Sequence, residues 1–246
     1  MSKFTQVAYA FCFILNLVPQ VYAHKIIGLS GGVGWLDFDA NQNLTINRNV
    51  FNQNIINTYT VNGNFHPNNM LAIHGGYLFH VPHKNIKWTI ELLAFYNTGS
   101  KVTGQVYEGG IPLFNNFDNK YKISSKGLML EGKLISDNKK LFVKPFVLFG
   151  IGTSWNKAYS YLEEPNIVGA VNLRGQFQSK TTSQLAYEFG FGFNKTINEN
   201  IFSIEFKRQQ LGTAKFGLYP TQTINEPLKV TAAFNQVVFS YSKILD

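Results

Sequence analysis

Leu141 to Trp155 reads LFVKPFVLFGIGTSW, and two interleaved faces run through it. Every second residue from Val143 gives Val143, Pro145, Val147, Phe149, Ile151, Thr153 and Trp155, an apolar face that ends on an aromatic. The alternate set, Lys144, Phe146, Leu148, Gly150, Gly152 and Ser154, carries a charge, two glycines and a hydroxyl. A period of two marks a strand, because successive side chains leave a sheet on opposite faces. A water-soluble strand points its apolar face inward and seldom covers its outer face with glycine. A membrane barrel strand does the reverse, with the apolar face to lipid and the small, polar face to a narrow lumen.

Seven further segments alternate in the same way: Ile26–Phe38, Met70–Val81, Ile86–Asn97, Lys122–Ser136, Ser183–Lys195, Ile201–Gln210 and Lys229–Leu245. Three of the connections are tight turns, at Pro82–Asn85, Asp137–Lys140 and Ile197–Asn200. The other four are long and polar, over 39–66, 98–121, 156–182 and 211–227. Short turns at one end and long loops at the other are the pattern of an all-β, eight-stranded antiparallel up-and-down transmembrane barrel. An even number of strands closes the sheet without a free edge. A soluble lipocalin-like barrel is the competing architecture, but its charges would lie opposite the apolar face on the outside, whereas here they share a face with the glycines.

The first residues read as a signal peptide. Lys3 is the basic start, Val7–Val18 the apolar run, and Val21-Tyr22-Ala23 a small-residue cleavage site. The expected division is therefore residues 1–23, cleaved, and 24–246, the barrel. Cleavage removes Cys12, the only cysteine, and lowers the formal charge from +8 to +7 by removing Lys3. No disulfide then supports the fold, and the sequence shows no metal or cofactor motif. No segment beyond the leader is apolar for the ~20 residues that a membrane helix needs.

Along the lumen-facing sets lie Glu91, Glu131, Lys133, Lys144, Glu188, Glu205 and Lys207, together with His74 and His80. Charges in a narrow interior must pair or they cost several kcal/mol each. The expectation is an ion-pair network that plugs the lumen; a narrow channel lined by the same groups is the alternative. The outward sets place Trp35, Tyr96 and Trp155 near the long-loop ends, and Tyr77, Trp88, Phe193, Phe239 and Tyr241 towards the short-turn ends. These are expected to form the two aromatic girdles at the headgroup levels. An enzyme acting on lipid would need a nucleophile beside a base. His66 with Ser30 or Ser154 is the nearest approach, without any diagnostic spacing. The lysines are scattered rather than interleaved with stacking aromatics, which argues against nucleic acid.

These alternating strands, the leader and the four long loops resemble the eight-stranded outer-membrane β-barrel family of Gram-negative bacteria, of the OmpA-transmembrane and opacity-porin type. The resemblance covers 25–245 and is architectural, with no short motif. It implies an outer-membrane location after export, insertion by the barrel-assembly machinery, and a monomer without catalytic activity or cofactor. Its surroundings would be outer-membrane lipid and lipopolysaccharide, and its loops would meet a host or other surface ligand. Members commonly end on an aromatic residue. This chain ends Ser240-Tyr241-Ser242-Lys243-Ile244-Leu245-Asp246, which keeps Phe239 and Tyr241 in the alternation but departs at the terminus.

Overall fold

A computed structural model describes residues 22–37, 42–48, 53–62, 66–80, 85–110, 115–166, 177–219, 224 and 226–245. The expected leader, apart from Tyr22 and Ala23, lies outside the described residues, as does most of the turn at 82–85. Eight long strands form the wall: β1 (Tyr22–Asp37), β4 (His66–His80), β5 (Ile86–Tyr107), β6 (Asn115–Ser136), β7 (Lys144–Pro165), β9 (Lys180–Ile197), β10 (Asn200–Lys215) and β12 (Lys229–Leu245). Each pairs antiparallel with its neighbour in the chain, and β12 returns to pair with β1 from Lys25↔Leu245 to Asp37↔Ala233. The ring is closed.

Its stagger follows from the register. Stepping through paired residues from Lys25 to Tyr77, Ile90, Gly132, Phe149, Phe189, Arg208 and Asn235 returns to β1 at Trp35, ten residues further along. With eight strands, such closure goes with a tilt of about 35–45° and an interior that side chains can just fill.

Burial confirms which face is which. Val147, Phe149 and Ile151 of the opening stretch are exposed while Phe146, Leu148 and Ser154 are buried. Leu29 at 62% and Leu185 at 71% exposure show how fully the apolar face is turned outward, which no soluble barrel could sustain. The strand itself begins at Lys144, three residues after the start of that stretch at Leu141. Leu141, Phe142 and Val143 belong to the turn, where the Leu141 amide donates to the Asn138 carbonyl and the Lys195 ammonium sits 3.5 Å above the Phe142 ring.

The expected long loops are corrected in large part. Strand β5 runs on to Tyr107, β6 starts at Asn115, β7 continues to Pro165 and β10 to Lys215. The 39–66 stretch holds a hairpin, β2 (Gln42–Arg48) with β3 (Gln53–Tyr59), and β3 joins the wall at Thr58↔Tyr107 and Tyr59↔Val106. A two-residue pair, β8 (Phe177–Gln178) with β11 (Gly217–Leu218), lies between the remaining connections. The barrel therefore continues past the aromatic level as a sheet-walled extension. There the sense of the alternation reverses, since Val102, Val106, Ile123 and Ala158 point in while Lys101, Lys122 and Lys157 point out. That is the pattern of a sheet in water.

Candidate functional site

The interior is layered. Nearest the short turns, Ile26, Leu78, Ile135, Phe146, Leu148 and Ile201 form an apolar cluster. Beyond it lies a charged layer. Lys133 Nζ is 3.0 Å from Glu131, 3.4 Å from Glu205 and 3.9 Å from Glu91. Lys207 Nζ is 3.2 Å from Glu188, 3.5 Å from Glu205 and 3.7 Å from Glu131. His74 Nδ1 is 2.5 Å from Glu91 Oε2, and the Thr89 hydroxyl donates to the other oxygen at 2.7 Å. The strand geometry makes room for these groups. A Cβ on Gly150 would stand 2.7 Å from Glu188 Oε1, and one on Gly190 would stand 2.8 Å from Lys207 Cβ. The lumen glycines are thus the space that the long charged side chains fill.

Above the charges comes a layer of amides. Gln209 donates to Glu188 at 2.8 Å, Asn97 donates to Gln209 at 3.1 Å, and Gln236 donates to Asn97 at 2.7 Å. A second, larger apolar cluster reaches down beside the charges at Val238, the register partner of Glu205, and continues past the amides into the extension. It ends in packed rings. Phe177 meets Tyr161 edge-on at 4.8 Å between centroids and Tyr59 at 5.9 Å, while Phe216 meets Tyr121 and Tyr161 at 5.5 Å each. Within this upper packing the half-buried Tyr161 donates its hydroxyl to Glu163. Burial pushes the Glu163 carboxyl up to about 7; the bond from Tyr161 opposes the rise and Glu108 adds to it.

Six of the seven expected network residues come together, and Lys144 does not. Its ammonium bonds Asp137 in the turn, with Lys87 Nζ 3.2 Å and His80 Nδ1 3.6 Å from the same carboxylate. The reason is position: Lys144 is the first residue of β7, beside the turn that carries Asp137. Burial works against the Asp137 charge, yet Lys144 and Lys87 outweigh it and hold the carboxyl below its ordinary range. His80 belongs with this rim cluster too, and His74 is the histidine of the lumen. The amide layer escaped the sequence reading, although Gln209 and Gln236 share the inward parity of their strands and carried the signal.

Of the expected girdle, Trp35, Tyr96 and Trp155 stand at one level and Tyr77, Trp88, Phe193 and Tyr241 near the other. Trp88 stacks on Phe79 at 4.0 Å, and Tyr241 packs against Phe202 at 5.5 Å. Phe239 is corrected: it pairs with Gly31, near the middle of β1, and stands within the apolar band. The residues weighed for catalysis are not assembled. Ser30 donates to Ser240 at 2.9 Å, Ser154 to the Leu211 carbonyl at 2.5 Å, and His66 Nδ1 meets the Lys101 carbonyl at 2.9 Å.

A closed ring with lipid-facing apolar residues, aromatic rims and a filled interior defines a transmembrane β-barrel of the eight-stranded outer-membrane type. No protein-family model matches the sequence, and no curated protein matches it. Among solved structures, the chain is similar to OprG of Pseudomonas aeruginosa, with 18% identity, 89% of this chain and 95% of that chain covered, and a TM-score of 0.47. It is similar to the Neisserial surface protein A, with 7% identity, coverage of 91% and 99%, and a TM-score of 0.42. It is also similar to Ail, the attachment invasion locus protein of Yersinia pestis, solved with the heparin analogue sucrose octasulfate, at 12% identity, coverage of 91% and 99%, and a TM-score of 0.34. At these identities the likeness is one of chain path, and the membrane reading rests on the chain's own register and exterior.

Proposed function

We propose that this chain is a monomeric surface protein of the Gram-negative outer membrane, exported with cleavage of residues 1–23 and inserted by the barrel-assembly machinery. In this reading its lumen is closed to solutes and its working part is the extension beyond the membrane, which meets a ligand on another surface. The observation that carries this reading is the stacking of the charged layer between two apolar clusters. An ion entering from either end would have to cross a dry segment, and the charges it then met are already engaged with one another. The role is binding rather than catalysis, since the extension presents a rigid, sheet-walled face on which a ligand could be held without ordering a long loop.

Planar-bilayer recording of the refolded chain tests the closed lumen. Silence at neutral pH is the expected result; steady single-channel steps would replace this reading with that of a narrow pore. Binding of whole cells to host-cell surfaces, with and without deletion of the β2–β3 hairpin, tests the role of the extension. The deletion should reduce adherence while heat-modifiable gel mobility is kept.

A further inference from the structure

On the outside of the barrel, where the apolar band meets the extension, lies an open groove of about 880 Å³ across β5, β6, β7 and β9. Its lower edge is Leu128. Immediately above, one row of cross-strand neighbours reads Tyr96, Lys126 and Trp155, each paired with the next. Lys126 therefore stands in the aromatic girdle itself, flanked by two side chains that favour the headgroup level. Lys157 lies two residues beyond Trp155, with its ammonium 5.2 Å above the Tyr159 ring.

Two rows further up, past the pair of Ser124 and Lys157, the pairing is more unusual. Lys101 of β5 is directly paired with Lys122 of β6, and Lys122 in turn with Tyr159 of β7. Like charges opposite one another destabilise a sheet. Among the described residues no carboxylate forms an ion pair with Lys101, Lys122, Lys126 or Lys157, and no acidic side chain lines the groove. Two other lysines of the outer face are matched, Lys120 by Glu164 and Lys229 by Glu226. Four uncompensated lysines are thus held by rigid strands just above exposed apolar surface. They call for a ligand that brings several negative charges at this height and hydrocarbon below it.

We propose that this face binds a multiply phosphorylated, multiply acylated lipid of the outer leaflet. Phosphates would lie among Lys101, Lys122, Lys126 and Lys157, and an acyl chain would descend past Trp155 onto Leu128. The site rests on the outer-membrane placement above and takes it further, from lipid as a solvent to one lipid class held at one place. Its failure leaves the closed lumen untouched, because conductance is read independently.

The test uses the full barrel in uncharged detergent micelles with Trp35→Phe and Trp88→Phe, which leaves Trp155 as the reporter. Titration with diphosphoryl lipid A should shift Trp155 emission to the blue with a saturable midpoint, and monophosphoryl lipid A should need more. Replacing the four lysines by glutamine should raise the midpoint about a hundredfold or more, since each basic side chain at an anionic surface is worth about a factor of five. A control at the opposite end, Lys139→Gln with Lys140→Gln, should leave it within about twofold, because that turn lies beyond a Debye length from the groove. Heat-modifiable gel mobility checks that every variant is folded. The proposal is overturned if the four-lysine variant keeps the parent midpoint, or if inorganic phosphate alone produces the full shift, which would make the groove a small-anion site.

Discussion

Lys207→Ala is the sharpest perturbation of the lumen. Its side chain is 1% exposed, and its ammonium sits within 3.2–3.7 Å of Glu188, Glu205 and Glu131. Truncation leaves those three carboxylates with one remaining ammonium, Lys133, which already reaches Glu131, Glu205 and Glu91. Removing one partner of a buried ion pair costs about 3–5 kcal/mol, most of it from the charge left behind. With a urea slope of about 2 kcal/mol per molar, the unfolding midpoint of the refolded barrel should fall by about 2 M. Adding Glu188→Gln to Lys207→Ala should recover part of this loss, since the Glu188 side chain would keep its position beside Gln209 with one charge fewer to compensate. Lys144→Ala is the internal comparison. Its partner Asp137 lies at the water-facing rim, so the change should cost about 1 kcal/mol or less. If Lys207→Ala proves no worse than Lys144→Ala, and the double variant shows no recovery, the layer is wetter and better screened than its geometry implies, and the closed-lumen reading fails with it.

Three further outcomes are expected. Val147→Lys turns a charge towards mid-bilayer lipid and should cost about 2–4 kcal/mol in the same unfolding assay, with no lumen variant able to rescue it. Phe216→Ala empties the centre of the packed rings in the extension and should cost about 3–5 kcal/mol, read as early loss of near-ultraviolet circular dichroism in that region. Burial raises Glu163 from its ordinary 4.5 to about 7, so between those values the folded chain holds a proton that the unfolded chain has released. Stability should therefore fall as pH rises from about 4.5 to about 7, by at most about 3 kcal/mol, and Glu163→Gln should flatten that slope in unfolding midpoints measured across the range.

The wall of the barrel was legible because lipid and lumen impose opposite demands on alternate residues. Gly150 and Val147 are told apart by parity alone. Strand length was not legible for a related reason. Past Tyr96 and Trp155 the chain leaves lipid for water, and the apolar parity passes from the outer face to the inner one. Val102, Gly104 and Val106 continue the alternation in the opposite sense, offset by the register shift between Asn97 and Ser100, so the segment looks merely polar and irregular. Glu91, Glu131, Lys133, Glu188, Glu205 and Lys207 could be assigned to one face because a single rule covers them. The partner of Lys144 could not, because a residue at a strand end is free to turn back towards its own turn, and Asp137 lies only seven positions earlier. The hairpin of β2 and β3 was hidden by its asparagines, which favour turns locally but here pair across strands, as Asn54 does with Asn47.

The seam between β1 and β12 has a consequence for how the molecule is made. Its partners are separated by most of the chain, from Lys25↔Leu245 to Asp37↔Ala233, so the ring cannot close until the last strand has been delivered. Joining ends so far apart carries a loop-closure cost of about 5 kcal/mol if nothing organises the chain between them. Until then β1 and β10 are two open edges, each a template for pairing with another molecule. A chain that stops before Lys229 is thus a hazard rather than a smaller barrel. Partial products should be cleared by proteolysis or accumulate as aggregates, and the time spent with that seam open sets the window in which a holding chaperone is needed.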